Sequence, residues 1–209
     1  MYDVRPNNLI GFHGCDLSVA NKLINQPDDI KISTENYDWL GHGLYFWENN
    51  YTRALEWAED KKARGKISTP SVVGAVIQLG HCCDFLDSKF TRMIQHFHLI
   101  MVEEYKSAGI MLPENVDYAK DPHHDKLLRI LDCKAIEFMH SKIDTQIKAD
   151  FEEKGFSSYK KFDSTRGVFT EGGPAFDGAG IMAKSHIQIC VRNFNCVKGF
   201  FNPRKEIDF

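Results

Sequence analysis

The stretch Gly41-His42-Gly43-Leu44-Tyr45-Phe46-Trp47 joins two glycines around a histidine to a mostly aromatic run. Glycine allows a tight turn and lets another molecule approach the backbone closely. Side-chain alternation in the aromatic run predicts a short strand that directs Leu44 and Phe46 toward the core and Tyr45 to the opposite face. The stretch is compatible both with a shelf for a flat ligand and with a hairpin whose aromatic residues belong to the core.

The composition predicts one folded domain over residues 1–209. The chain is somewhat longer than an average domain, and its 43% hydrophobic and 26% charged residues are ordinary for a protein with a real core. A net charge of −3 excludes the strongly basic field that holds nucleic acid non-specifically. The chain also lacks an apolar run of about eighteen residues, so we expect no membrane span and no membrane partner.

The six cysteines show neither a disulfide spacing nor a CxxC pair. Because the first residues do not resemble a signal peptide, we predict a cytoplasmic protein with free thiols. The clusters His81-Cys82-Cys83 and His123-His124 offer possible metal ligands. Adjacent residues of a strand point to opposite faces, so we expect no metal site there.

Hydrophobic periodicity predicts strands at both ends of the chain and helices in the middle. Strands are predicted at 9–13, 30–33, 44–47, 71–79, 167–169, 186–192 and 197–201, and helices at 17–24, 52–64, 90–106 and 126–147. The segment 171–184 is rich in glycine and alanine and is predicted to be a long loop. This order favours an α+β fold with a helical insertion at about 87–150.

Two polar positions in predicted strands are candidates for chemistry. His13, followed by Gly14, places an imidazole beside accessible backbone groups that could grip an amide and a hydroxyl. Gln188 lies in the middle of an apolar strand and needs hydrogen-bond partners. A core histidine and a glutamine at a sheet edge are the ordinary alternatives. The charged residues predicted to form the solvated face of a helix are Arg129, Asp132 and Glu137.

In this order, the strings Phe12-His13-Gly14 and Gly41–Phe46, the helix around Trp57 and the late strand at Gln188 resemble the ADP-ribosyltransferase superfamily. The likeness is to the diphtheria-toxin and poly(ADP-ribose) polymerase branch, as a divergent stand-alone bacterial-type member. It covers about 9–80 and 165–203 and leaves the helical middle unexplained. The resemblance implies a split mixed β-sheet around an NAD cleft, with NAD as co-substrate.

The resemblance also assigns roles to individual residues. His13 would bond the 2′-hydroxyl of the adenine-side ribose, Gly14 would hold the nicotinamide carboxamide through its backbone, and Tyr45 would stack on the nicotinamide ring. The loop 171–185 occupies the place of the segment that recognises the target. The other positions implied to line the cleft are Ser33, Thr34 and Gly43.

The third position of the family triad departs from the usual glutamate, because Gln188 is neutral. Its side-chain oxygen can accept a hydrogen bond from the ribose hydroxyl. It cannot supply a full negative charge or act as a general base. Either Gln188 completes the site with an acceptor that needs no protein base, or Glu171 moves in as the acid/base group. Transfer of one ADP-ribose unit or NAD hydrolysis is favoured over chain elongation. The alternative is a non-catalytic module that binds NAD or ADP-ribose on the same fold.

The resemblance implies a macromolecular acceptor, which is either protein or RNA/DNA. Its toxin-like character further implies an antitoxin protein that keeps the enzyme silent, with the helical insertion as one place for that partner to dock.

Overall fold

Residues 8–118 and 121–204, which the computed structural model describes, form a seven-stranded mixed sheet with four α-helices. The strands are β1 (Leu9–Asp16), β2 (Leu44–Glu48), β3 (Pro70–Ile77), β4 (Cys82–Asp84), β5 (Ser164–Phe169), β6 (His186–Val191) and β7 (Val197–Phe201). The helices are α1 (Leu17–Asn25), α2 (Tyr51–Ala63), α3 (Ser88–Ser107) and α4 (Ile130–Lys154), and a 3₁₀ turn spans Phe194–Cys196. The strand order is β4-β5-β6-β2-β1-β3-β7, and β4 pairs with β5 in parallel.

The α+β class and the order of the long elements are confirmed, but one predicted strand does not form and one observed strand has no counterpart among the predictions. The segment 30–33 forms no strand, and its last residue, Ser33, makes an isolated bridge to Gly43. Conversely, β4 was not predicted, because three residues with the sequence Cys-Cys-Asp show no alternation. β1 also continues past His13 to Asp16, whose carboxylate accepts from the backbone N–H of Ser18 and caps α1.

The sheet opens between its two central strands. β1 and β2 pair at Gly11–Glu48 and at Phe12–Trp47. Beyond these positions, within the described strands, β1 follows only β3 as far as Asp16, while β2 follows only β6 back to Leu44. The two halves of the sheet therefore separate next to His13 on one side and Tyr45 on the other.

Each face of the sheet is packed. Leu44 and Phe46 are 5% and 0% exposed, so their predicted orientation toward the core is confirmed. Burying a phenylalanine side chain contributes roughly 1.5–3 kcal/mol of free energy. On the opposite face, Trp47 and Val72 pack against Ala54 of α2.

Helix α2 lies unusually close to β1. Ala54 and Ala58 are fully buried, and a Cβ built on Gly14 would overlap the carbonyl oxygen of Ala54. A glycine at this point of β1 is therefore required for the helix to sit against the strand.

Helices α3 and α4 fill the predicted helical insertion and pack against each other. Their contact with the sheet is a separate apolar cluster of buried residues, formed by Cys83, Phe90, Ile136, Met139, Ile143 and Phe162. All six cysteines are buried and free, which confirms the free thiols expected from the sequence. Among the helices of the described ranges, none combines the length and apolar character needed to cross a membrane.

We predict that Gly14→Ala destabilises the protein by about 1–3 kcal/mol or more, because the new methyl group forces α2 away from β1. Gly199→Ala is the matched control, since a Cβ at Gly199 on β7 meets no atom within 4 Å. Urea unfolding of both variants measures the difference. Equal unfolding free energies for the two variants would contradict the close contact between Gly14 and Ala54.

Candidate functional site

His13 stands at the edge of the opening between β1 and β2. Its Nδ1 lies 2.8 Å from the carbonyl oxygen of Tyr45. A carbonyl only accepts, so Nδ1 carries the proton and Nε2 keeps a free lone pair. Burial lowers the pKa of His13 to about 4, the bond to Tyr45 opposes this shift, and the charge of Lys61 adds to it. The imidazole is therefore neutral at pH 7.

The backbone of Gly14 faces the same opening. Asn49 N–H donates to the carbonyl of Ile10 on the β2 side of β1. In an antiparallel strand alternate residues direct both backbone groups to the same side, so Phe12 and Gly14 follow Ile10. Because pairing with β2 ends at Phe12, the N–H and C=O of Gly14 point into the opening.

Tyr45 uses its hydroxyl to fix the segment before β2. The hydroxyl donates to the carbonyl of Gly41 at 2.8 Å and accepts from the N–H of Leu40 at 2.9 Å. Burial raises the pKa of Tyr45 well above its ordinary value, so the hydroxyl stays protonated. Its two bonds orient the ring, and stacking of this ring on nicotinamide stays a prediction.

The other predicted cleft residues lie on the same segment. Ser33 and Gly43 exchange backbone hydrogen bonds of 2.9 and 3.1 Å. A Cβ on Gly43 would approach Cys190 Sγ to 2.5 Å and the carbonyl oxygen of Val191 to 2.6 Å, so this glycine permits close packing on β6. Thr34 is exposed beside this bridge. The structure thus joins Ser33 and Gly43 in a backbone bridge, two residues before Tyr45 in the sequence.

Helix α4 holds the glycine-rich segment through Glu137. The carboxylate accepts from the N–H of His42 at 2.8 Å and forms an ion pair with Arg192. Arg192 also donates to the carbonyl of His42 at 3.0 Å. The prediction that Glu137 belongs to a solvated helix face is wrong, because this network partly buries it between α4 and β6.

Arg129 is also not a solvated residue, and it precedes α4 instead of lying within it. Its guanidinium lies 4.1 Å from the ring centre of Phe169 and 5.4 Å from that of Trp39. Asp132, in the first turn of α4, accepts from Asn115 Nδ2 at 2.8 Å. Arg129 therefore packs on aromatic rings where the sequence pattern assigned it to solvent.

Gln188 has a specific partner. Trp39 Nε1 donates to Gln188 Oε1 at 2.6 Å, across 149 positions of sequence. Gln188 is aligned with Trp47 on β2 and with Gly167 on β5, and Trp39 packs against the bare backbone of Gly167. The side-chain oxygen at the third triad position is thus already engaged.

Glu171 forms an ion pair with Arg53 of α2, and Arg53 also donates to Glu56 at 3.0 Å. Arg53 is 6% exposed. The charges of Arg53 and Glu171 both act on His186, the first residue of β6. The structure therefore brings Glu171 next to the strand that carries Gln188, and it holds the carboxylate on a buried guanidinium.

Two cations lie against Trp57 at the C-terminal end of α2, and one of them, Lys61, acts on His13 at the opening. Lys61 and Arg64 lie 5.4 and 5.2 Å from the ring centre of Trp57. The charge of Lys61 acts on His13, and burial lowers the pKa of Lys61. This side of the opening is therefore suited to an anion.

Arg53 and Lys61 are not among the residues predicted from the sequence. A signal for them exists, because the helical period places both on the buried side of α2 with Ala54, Trp57 and Ala58. No comparable signal identifies Trp39, whose contact with Gln188 depends on the path of an irregular loop.

The loop before β6 is irregular, as predicted. It is closed by a bridge between Pro174 and Met182, and its tip exposes Phe176 and Ile181, at 65% and 66% of their surfaces. Across residues 8–118 and 121–204, we find no group of three or more histidine, cysteine, aspartate or glutamate side chains that could hold a metal ion.

Comparison of the chain with protein-family models, with curated proteins and with solved structures gives no match. The candidate site therefore stands on its geometry. Its elements are an opened sheet, a neutral histidine with a lone pair on Nε2, a glycine whose backbone lies beyond the end of the β1–β2 pairing and two cations beside Trp57.

Proposed function

We propose that the protein is an NAD-dependent mono-ADP-ribosyltransferase with a split ADP-ribosyltransferase-like sheet. The observation that carries the proposal is the opening between β1 and β2, which has His13 and Gly14 on one edge and Tyr45 on the other. The sequence strings that resemble the family thus lie on the two strands that separate.

The opening offers groups that match the parts of NAD. The N–H and C=O of Gly14, which find no β2 partner within the described strands, suit the oxygen and the NH₂ of the nicotinamide carboxamide. The free Nε2 of His13 is an acceptor for a ribose hydroxyl. Lys61 and Arg64 can bind the diphosphate, since ammonium and guanidinium groups form charge-assisted bonds to phosphate.

The acceptor is a protein or a nucleic acid, and the hydrophobic tip of loop 171–185 is the segment we expect to contact it. The free, buried thiols fit a reducing compartment such as the cytoplasm. The toxin and antitoxin roles implied by the family resemblance extend this proposal, with α3 and α4 as the place for a regulatory partner.

A second candidate function is a non-catalytic module that binds NAD or ADP-ribose. The observation that favours it is the engagement of both residues that could complete the triad. Gln188 bonds Trp39, and Glu171 pairs with Arg53. A module of this kind binds NAD in the same opening and leaves the glycosidic bond intact.

We predict that the purified protein releases nicotinamide from NAD and that His13→Ala lowers kcat/KM about 5–10-fold, as expected for loss of one hydrogen bond to a ribose hydroxyl. His96→Ala, on the exposed side of α3, is the control and should keep full activity. Nicotinamide is measured by chromatography. Binding of NAD in calorimetry without nicotinamide release supports the module, and the absence of both binding and release rejects both functions.

We also predict that Tyr45→Phe weakens NAD binding because the segment around Gly41 loses its anchor on the hydroxyl. The expected loss in affinity is about 5–10-fold, equivalent to roughly 1 kcal/mol for one hydrogen bond. Tyr159→Phe is the matched control, since Tyr159 is 54% exposed and distant in sequence from the opening. Identical dissociation constants for the two variants would show that the anchored segment plays no part in binding.

The neutral state of His13 has a consequence for stability. Its pKa is about 4 in the folded protein, against an ordinary value of 6.5. Between these values the unfolded chain binds more protons, so stability is fully present above about pH 6.5 and is lost as the pH falls toward 4, by at most about 3 kcal/mol for this group. The His13→Asn variant should therefore lose less unfolding free energy on acidification than the wild type. The His96→Asn variant should lose as much as the wild type. Unfolding free energies at pH 7 and pH 4.5 make the test, and equal losses in the two variants would contradict a partly buried, neutral His13.

A further inference from the structure

Three buried nitrogens on neighbouring side chains have no hydrogen-bond partner within the described part of the chain. They are Nε1 of Trp47, Nε of Arg53 and Nε2 of His186. The three residues are 4%, 6% and 6% exposed. A buried polar group without a partner costs about 1–3 kcal/mol, so three together indicate a site that takes up a ligand.

The three side chains come from elements that pack together, since Trp47 of β2 packs against Ala54, the residue after Arg53 on α2. The rings of Trp47 and His186 have centres 6.2 Å apart. The charge of Arg53, on α2, lowers the pKa of His186, and burial is the larger cause of the same shift. Gln188 is aligned with Trp47 and lies on the same face of β6 as His186. The unpartnered nitrogens therefore lie beside the third triad position.

The hydrogen-bonding pattern of the site is defined by its partners. His186 Nδ1 lies 2.7 Å from the carbonyl oxygen of Lys184, so Nδ1 carries the proton and Nε2 presents a lone pair. Trp47 Nε1 and Arg53 Nε are both N–H donors. Two donors and one lone pair match a single hydroxyl, whose oxygen accepts twice and whose proton is given once.

We propose that Trp47, Arg53 and His186 bind the hydroxyl of the nucleophile and that His186 is the general base of the reaction. This assignment rests on the proposed function, and it gives the base role that Gln188 cannot fill to a residue on the same strand. The low exposure of the three side chains favours water as the source of the hydroxyl, and the hydroxyl of an acceptor is the alternative that the reaction product distinguishes.

The proposed step requires only NAD, the bound hydroxyl and His186. The glycosidic bond between C1′ of the ribose and the nicotinamide nitrogen breaks, and its electron pair stays on that nitrogen. One of the two N–H donors releases the hydroxyl oxygen, and the lone pair freed in this way forms the new bond to C1′. The hydroxyl proton passes to His186 Nε2. The imidazolium is then faced by Glu171 from the loop and by Glu56 and Arg53 from α2, with the two carboxylates favouring its charge.

The substitution that isolates the base is His186→Asn. An asparagine amide can still donate to the Lys184 carbonyl but lacks Nε2. We expect the rate of nicotinamide release at saturating NAD to fall about 100-fold, the usual size of general-base catalysis, with an unchanged dissociation constant for NAD. The wild-type rate should fall at acid pH as His186 takes up a proton, and this fall should be missing from the residual rate of the variant. His96→Asn, on the exposed surface of α3, is the control for both measurements.

The source of the hydroxyl is distinguished by its product. Without an acceptor and in ¹⁸O-labelled water, free ADP-ribose that carries the label at C1′ identifies water. With cell protein or RNA present, ADP-ribose attached to the macromolecule identifies an acceptor hydroxyl. Each result supports the site if His186→Asn suppresses it. A variant with the wild-type rate and the wild-type acid limb overturns the assignment.

The hydroxyl site has a test that does not depend on turnover. A high-resolution crystal structure of the full chain should show one oxygen within hydrogen-bond distance of the three nitrogens, and closure of the space by a side chain overturns the proposal. If the wild-type protein neither binds nor cleaves NAD, the proposed function fails and the base role falls with it. The oxygen in the crystal then decides whether the hydroxyl site exists.

Discussion

The hydrogen bond from His13 to the carbonyl of Tyr45 takes the place of the strand pairing that β1 and β2 abandon after Phe12 and Trp47. Where the pairing of two strands ends early, backbone N–H and C=O groups lose their partners. Each such group costs free energy if it is buried without another partner. The imidazole satisfies one carbonyl across the separation and leaves the groups of Gly14 available. An opening of this kind is stable only because other elements hold the two halves of the sheet where they are.

Two sets of contacts keep the halves of the sheet in place. On one half, the small residues Gly14, Ala54 and Ala58 let α2 lie directly on β1, so the strand cannot shift toward β2 without losing close contacts. On the other half, Glu137 and Arg192 fix the segment at His42, and the hydroxyl of Tyr45 ties the same segment from the inside. Since most of these groups are partly or fully buried, their bonds weigh more than the ion pairs of the exposed surface.

The sequence is sufficient to predict the elements with strong periodicity. The alternation at 44–47, the apolar strand at 71–79 and the long helical segments all correspond to elements of the structure. Local sequence does not predict a strand correctly where pairing with distant residues determines whether the strand forms. Examples are the three-residue β4 and the segment 30–33, in which only Ser33 forms a bridge.

The candidate site also contains residues that the sequence predicts and contacts that only the tertiary structure shows. His13, Gly14 and Tyr45 stand in recognisable strings and lie at the opening. The contacts of Gln188 with Trp39 and of Glu171 with Arg53 span 149 and 118 positions, and no local pattern specifies them. Charge patterning also misleads at Glu137 and Arg129, because a polar residue on a helix indicates solvent unless the partner that buries it is known.

The parallel pairing of β4 with β5 changes the meaning of the helical middle of the chain. Two parallel neighbours cannot be joined by a tight turn, so the segment between Asp84 and Ser164 is a crossover connection that returns the chain to the same end of the sheet. A shortened chain could replace α3 and α4 with another connection but could not omit one. Because α4 also supplies Glu137 to the glycine-rich segment, the crossover links the edge of the sheet to its central opening. A molecule that bound the crossover and displaced α4 would loosen the support of Tyr45 without entering the opening.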